Sequence, residues 1–236
     1  LKRIAVVAFP GSNCDQDVVT ACELLGASAE YVWHDRKGLS EFDVVVLPGG
    51  FAYGDYLRTG AIAARSPVMD AVRDFAASGG PVIGICNGFQ ILCEAGLLPG
   101  ALRRNAGLKF LCRPVSLRVE TVDSPFTSRA RLGQVLEIPI NHFEGNYHLA
   151  PEALVLVEAE DRVAFRYCTQ SGEVGVEGNP NGAIANIAGV LSEGRNVLGM
   201  MPHPERASDP EVGGTDGAVI LSSLIAADRP AAVAAG

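Results

Sequence analysis

Three short apolar runs, each bounded by a turn rich in glycine or proline, constrain this chain more than any other feature. Ile4-Ala5-Val6-Val7-Ala8-Phe9 stops at Pro10-Gly11, Val44-Val45-Val46-Leu47 stops at Pro48-Gly49-Gly50, and Val82-Ile83-Gly84-Ile85 leads into Cys86-Asn87-Gly88. A strand that is apolar on both sides has to be covered on both sides, and helical segments lie between these runs. Val18 to Leu25 (closed by Gly26), Pro67 to Ala77 (ended by Ser78-Gly79-Gly80) and Asn87 to Glu94 (ended by Gly96) read as those helices. With Ser28 to Trp33 as a further strand, the alternation predicts an α/β fold, a mostly parallel sheet with helices on both faces.

Beyond Gly100 the pattern changes. Leu108 to Val122, Val135 to Ile140, Leu154 to Glu158, Val163 to Cys168 and Ala183 to Val190 read as strands without long helices between them, which predicts an antiparallel or mixed extension of the same sheet. Val197 to Met201 is the last strand, and Asp216 to Ala227 a closing helix. No linker interrupts this order, so residues 1–228 are expected to form one domain and residues 229–236, rich in Pro and Ala, a frayed tail.

The remaining composition mostly excludes. A net charge of −8 without a Lys/Arg cluster argues against nucleic acid as a partner. No run approaches the ~20 apolar residues of a spanning helix, so a membrane is not expected either. Leu1 to Phe9 lacks a signal-peptide cleavage site and reads as a first strand. The six cysteines form no Cys-x-x-Cys pair and the four histidines are scattered, so no metal is expected. A large apolar chain needs no staples, and reduced thiols in the cytoplasm are the expectation. Cys14, Cys22, Cys93, Cys112 and Cys168 read as small core residues, as do Phe9 and Trp33.

Chemistry concentrates at Gly84-Ile85-Cys86-Asn87-Gly88, between a buried strand and a helix. This is the G-x-S-x-G nucleophile elbow with sulfur in place of oxygen: a tight turn exposes the nucleophile, glycines clear space on either side, and the helix N-terminus favours thiolate. A buried cysteine in an ordinary turn would give the same five residues, so the elbow needs a base. His203 follows the apolar strand Val197 to Met201, and Glu205 stands two residues on, close enough to orient an imidazole. Pro48-Gly49-Gly50-Phe51 supplies a third element. The backbone N–H of Gly50, with that of Asn87, is placed to form an oxyanion hole. Gly49, Phe51 and Gln90, the last one helical turn beyond Cys86, are candidate substrate contacts.

In this order and spacing the elbow, the Gly-Gly loop and the His-Pro-Glu resemble the class I glutamine amidotransferases, a flavodoxin-like family. Within them, Phe9-Pro10-Gly11-Ser12-Asn13-Cys14-Asp15, Gly49 to Arg58, Gly84 to Gln90, Met200 to Arg206 and Gly213-Gly214-Thr215-Asp216-Gly217 resemble the glutaminase subunits of bacterial phosphoribosylformylglycinamidine synthases. The resemblance implies a Cys86-His203-Glu205 triad, a γ-glutamyl thioester, and ammonia passed to a large synthetase subunit in purine biosynthesis, with a small accessory subunit alongside. The chain has no G-x-x-x-x-G-K-[ST] loop, so no cofactor is expected on it; ATP and magnesium are expected on the synthetase. One departure is Asn141-His142-Phe143-Glu144-Gly145, where relatives usually have Ala-His-Gly-Glu-Gly, and it leaves the roles of His142 and Glu144 open. Two other readings compete: a Cys-elbow chaperone or deglycase of the DJ-1/PfpI type, whose base is arranged differently, and a non-enzymatic scaffold.

Overall fold

Strand β1 (Arg3–Ala8) is buried from Ile4 onward and pairs in parallel with both β2 (Ser28–Trp33) and β3 (Val44–Leu47). Helix α1 (Asp15–Leu24) links β1 to β2, and α2 (Val68–Ala77) links β3 to β4 (Val82–Ile85). The strand order reverses at β1, and parallel crossovers are right-handed, so α1 and α2 lie on opposite faces of the sheet. The structure, a computed structural model, describes residues 1–227; the expected tail falls outside them.

Helix α3 (Asn87–Glu94) follows β4 directly. The chain then builds β5 (Ala101–Arg103), β6 (Leu111–Val119), β7 (Val135–His142), β8 (Asn146–His148), α4 (Pro151–Ala159), β9 (Val163–Cys168), β10 (Ile187–Leu191), β11 (Val197–Met200) and α5 (Asp216–Ala226). Nine strands form one sheet in the order β2-β1-β3-β4-β11-β10-β9-β6-β7, while β5 and β8 make a separate antiparallel pair. The half from β2 to β11 is parallel, and β11-β10-β9-β6-β7 is antiparallel, as the change of pattern beyond Gly100 predicts. A single cluster of buried side chains runs from Ile4 to Leu224.

Two expectations are corrected. Leu154 to Glu158 is helical, inside α4, rather than a strand. Pro151 at the first helical position and Glu152 in the first turn start a helix, and only Val157 of the apolar run is buried while Val155 and Leu156 face outward. Ala183 to Val190 is broken by a tight turn over Ile184–Asn186 before β10 begins. Single residues depart too. Phe9 is in the core, but Trp33 lies on the edge strand β2 and is half exposed, and Cys112 is exposed.

Candidate active site

The topology puts β4 beside β11, with Gly84 opposite Gly199 and Ile85 opposite Met200. The two strands are parallel, so the residues after each emerge at the same end of the sheet: Cys86 from β4, and His203 after β11. Cys86 has φ 51° and ψ −104°, a conformation costing a non-glycine residue on the order of 1–3 kcal/mol. The two glycines of the elbow are required by packing. A Cβ on Gly84 would lie 2.6 Å from the Gly88 carbonyl oxygen, and one on Gly88 would lie 2.0 Å from the Leu47 carbonyl oxygen. Asn87 opens α3, where the first backbone N–H groups have no partner within the helix.

His203 and Glu205 are both buried, and their side chains meet at 2.6 Å between Nδ1 and Oε1. Nε2 of His203 has no hydrogen-bond partner, nor has Oε2 of Glu205. Burial opposes charge on the imidazole more than any other influence. Glu205, together with the Cys86 and Cys14 sulfurs, outweighs it and holds His203 well above the ordinary histidine range. The Cys86 thiol donates to the Asn141 carbonyl at 3.7 Å.

Cys14, expected to be a core residue, belongs to this assembly. Its sulfur accepts from Arg206 Nη2 at 3.3 Å, and donor atoms of Cys14, His203 and Glu205 come within 4.8 Å of one another. That trio is the one grouping among the described residues with the spacing to grip a metal ion. However, His203 and Glu205 are already bonded to each other and a guanidinium points at the sulfur, so the trio fits the hydrogen-bond chain around His203 better. Gly49 stands behind it: a Cβ there would lie 2.7 Å from His203 Cε1 and 3.1 Å from the Cys14 sulfur.

In front of the nucleophile is a cavity of about 290 Å³, at the small end of the range for small-molecule pockets. Gly50, Phe51, Asp55, Thr59, Cys86 and Gln90 line it, together with Arg104 and Asn141 to Glu144. Gly50 has φ 143°, and a Cβ there would come within 2.8 Å of the Asn13 nitrogen, so only glycine fits this wall. Gln90 borders the cavity, but both ends of its amide are engaged: Oε1 accepts from Asn87 Nδ2 at 2.9 Å, and Nε2 donates to the Glu144 carbonyl at 2.7 Å. A larger groove of about 550 Å³ lies behind the dyad, lined by Asp17, Asn141, Glu205, Arg206 and neighbours but not by Cys86.

Sequence reasoning left three wall residues unassigned. Asp55 sits in a loop where Tyr53, Asp55 and Leu57 all have positive φ, and Asn87 Nδ2 reaches its carboxylate at 3.4 Å. Burial first, then the nearby Glu144 carboxylate, push Asp55 up to about 6. His142 is buried with both ring nitrogens unpartnered, and burial, then His203, pull it down to about 4. Glu144 accepts from Thr59 Oγ1 at 2.9 Å. The segments Gly49 to Arg58 and Asn141 to Gly145 stood out in the sequence, but nothing in them assigned these three side chains to one cavity.

Comparison with known proteins identifies the family. The family of CobB/CobQ-like glutamine amidotransferase domains matches residues 2–213. Phosphoribosylformylglycinamidine synthase subunit PurQ of Koribacter versatilis is 58% identical over 229 residues, covering 95% of this chain and 98% of its own. The PurQ subunit of Moorella thermoacetica is 54% identical, covering 94% and 95%. Among solved structures, a chain of PurLQS from Thermotoga maritima superposes with a TM-score of 0.85 at 43% identity, over 95% of this chain and 97% of that one. The chain belongs to the glutamine amidotransferases, in the branch of the PurQ subunits of phosphoribosylformylglycinamidine synthase.

Proposed function

We propose that this chain hydrolyses glutamine to glutamate and ammonia, and hands the ammonia to a synthetase subunit that makes phosphoribosylformylglycinamidine from formylglycinamide ribonucleotide and ATP. The observation that carries the reading is a strained cysteine, Cys86, at the wall of an amino-acid-sized cavity, beside a buried His203–Glu205 dyad. Glu205 occupies Nδ1, which leaves Nε2 as the nitrogen that takes the thiol proton.

The sulfur attacks the side-chain amide carbon of glutamine, and the oxygen becomes an oxyanion against the N–H groups of Gly50 and Asn87. Losing one such donor typically costs ~10²–10³ in rate. His203 then gives its proton to the departing nitrogen, releasing ammonia and leaving a γ-glutamyl thioester on Cys86. Water, deprotonated by His203, attacks the thioester; glutamate leaves and the thiol is restored. Phe51 and Gln90 shape the pocket, and Gly49 gives His203 room.

The partners in this reading are a large synthetase and a small accessory subunit, supported by the likeness to the Thermotoga maritima PurLQS chain. ATP and magnesium belong to the synthetase, consistent with the missing phosphate-binding loop. No helix among the described residues is long and apolar enough to cross a membrane.

The test is mass spectrometry of the intact chain after treatment with diazo-oxo-norleucine, with the synthetase subunit added if the free chain is silent. A single adduct on Cys86, blocked by excess glutamine and absent from Cys86→Ala, supports the reading. An adduct on another cysteine, or none with the partner present, overturns it.

A further inference from the structure

Arg162, just before β9, is the one buried arginine among the described residues, with 8% of its side chain exposed. Its ionic partner is Glu160, whose half-exposed carboxylate lies 2.8 Å from Nε. That contact is not a hydrogen bond, and the buried Nε N–H has no acceptor. The carbonyl groups of Glu160 and Asp161, which precede Arg162 in the chain, already accept from Arg195 Nη1 at 3.2 Å each. A guanidinium presents five N–H donors in a planar fork, and an oxyanion is the partner that fills such a fork.

The cavity that Arg162 lines has a volume of about 630 Å³, enough for a small organic ligand. Its other walls are the end of α2 with Arg73, the turn after α3 from Gly96 to Pro99, and the β10–β11 hairpin from Ser192 to Val197. Val197 opens β11 opposite Val82 of β4, so the cavity lies at the end of the sheet away from Cys86. Arg73 is held in place: Nη1 donates to Asp70 at 3.0 Å, and Nη2 to the Ala64 and Ala95 carbonyls at 3.4 Å each. The hairpin is pinned as well. Asn196 Nδ2 donates to the Ala76 and Gly80 carbonyls, and Ser192 Oγ accepts from the Val197 N–H at 3.1 Å. Glu193 is the one acidic residue on this wall, and it is exposed. Two arginines against one carboxylate make the cavity locally positive in a chain whose net charge is −8. Leu97, Leu98, Pro99 and Val197 give it an apolar side.

We infer that this cavity is a second ligand site, in which Arg162 and Arg73 hold the carboxylate or phosphate group of a small molecule whose apolar body rests on Leu97 to Pro99. The cavity shares no residue with the one in front of Cys86, so the inference stands apart from the glutaminase reading.

The test titrates the nitrogen-15-labelled full chain with benzoate, phenyl phosphate and benzyl alcohol at constant ionic strength, and follows the amide NMR shifts. Benzoate or phenyl phosphate should move the amides of Gly96 to Leu98 and Ser192 to Asn196 while those around Cys86 stay in place. The anion that saturates at the lower concentration tells whether the site takes carboxylate or phosphate. Benzyl alcohol, the same ring without the charge, should not bind. In Arg73→Gln and Arg162→Gln the half-saturating concentration rises about 10- to 100-fold, the usual effect of losing hydrogen bonds to a charged group. Because Arg162 is buried, loss of folded protein in its variant leaves Arg73→Gln, at a half-buried position of α2, to decide. No shift with either anion up to about 10 mM would overturn the inference. So would equal shifts with benzyl alcohol, shifts centred on Cys86, or binding unchanged in the folded variants.

Discussion

Arg206 donates from Nη2 to the sulfur of Cys14 at 3.3 Å, across 192 positions of sequence, and from Nε to Asp17 at 3.0 Å. One guanidinium thus fastens the loop after β1 and the start of α1 to the segment that carries His203 and Glu205. Replacing it by leucine is expected to destabilise the fold by about 1–3 kcal/mol, the range for charge-assisted hydrogen bonds, reduced by the partial exposure of the ion pair. Glutamine hydrolysis should fall by more than the loss of folded protein explains, because His203 loses a support. Urea unfolding and single-turnover thioester formation on the same preparation measure the two effects.

The elbow is expected to tolerate no side chain at Gly88. In Gly88→Ala the new Cβ meets the Leu47 carbonyl oxygen at 2.0 Å, and the strand or the helix must move, at a cost of about 3 kcal/mol. Gly107→Ala has nothing within 4 Å and should change stability by less than about 0.5 kcal/mol. Thermal melts of the pair give the contrast.

Glu205→Gln removes the charge that raises His203 and changes which nitrogen carries the proton. By analogy with other triads, turnover should drop about 10²–10⁴-fold while glutamine still protects Cys86 from alkylation. His203 is held above the ordinary histidine range, so its ion pair stabilises the fold fully below that range and the contribution is lost as pH rises through the raised value. Stability on the alkaline side should therefore fall less steeply in Glu205→Gln than in the natural chain. Urea midpoints between neutral pH and about pH 9.5 test this.

His142 works in the opposite sense. Its value in the fold is about 4, below the ordinary 6.5, so the unfolded chain binds more protons between the two and stability drops as pH falls through that window. His142→Asn should flatten the acid limb. Asp55, raised to about 6, drifts the other way over part of the same window and is common to both proteins. Urea midpoints from about pH 7 to about pH 4 would decide it, and identical acid limbs would refute the assignment.

The part of this molecule legible in its sequence was the part written locally. Gly84 and Gly88 stand two residues from Cys86, and Glu205 two from His203, so elbow and dyad can be read as short strings. The apolar strands β1, β3 and β4 announce themselves because they are buried on both faces. Cys14 gave no such sign: its partners His203 and Arg206 are distant in sequence, and a small buried thiol looks like packing. Asp55 was hidden for a different reason, since its position depends on left-handed backbone at Tyr53, Asp55 and Leu57, none of them glycine. Leu154 to Val157 misled by composition, since an apolar run with β-branched residues suits a strand until Pro151 starts a helix.

The position of β11 between β4 and β10 also sets an order of events during synthesis. Strands β1 to β4 and the elbow leave the ribosome first, with one edge of β4 open. The base arrives only with the segment following β11, after most of the second half of the chain has been made. Until then the nascent protein carries a cysteine without its proton acceptor, and insertion of a late strand into the middle of the sheet is the step that arms it.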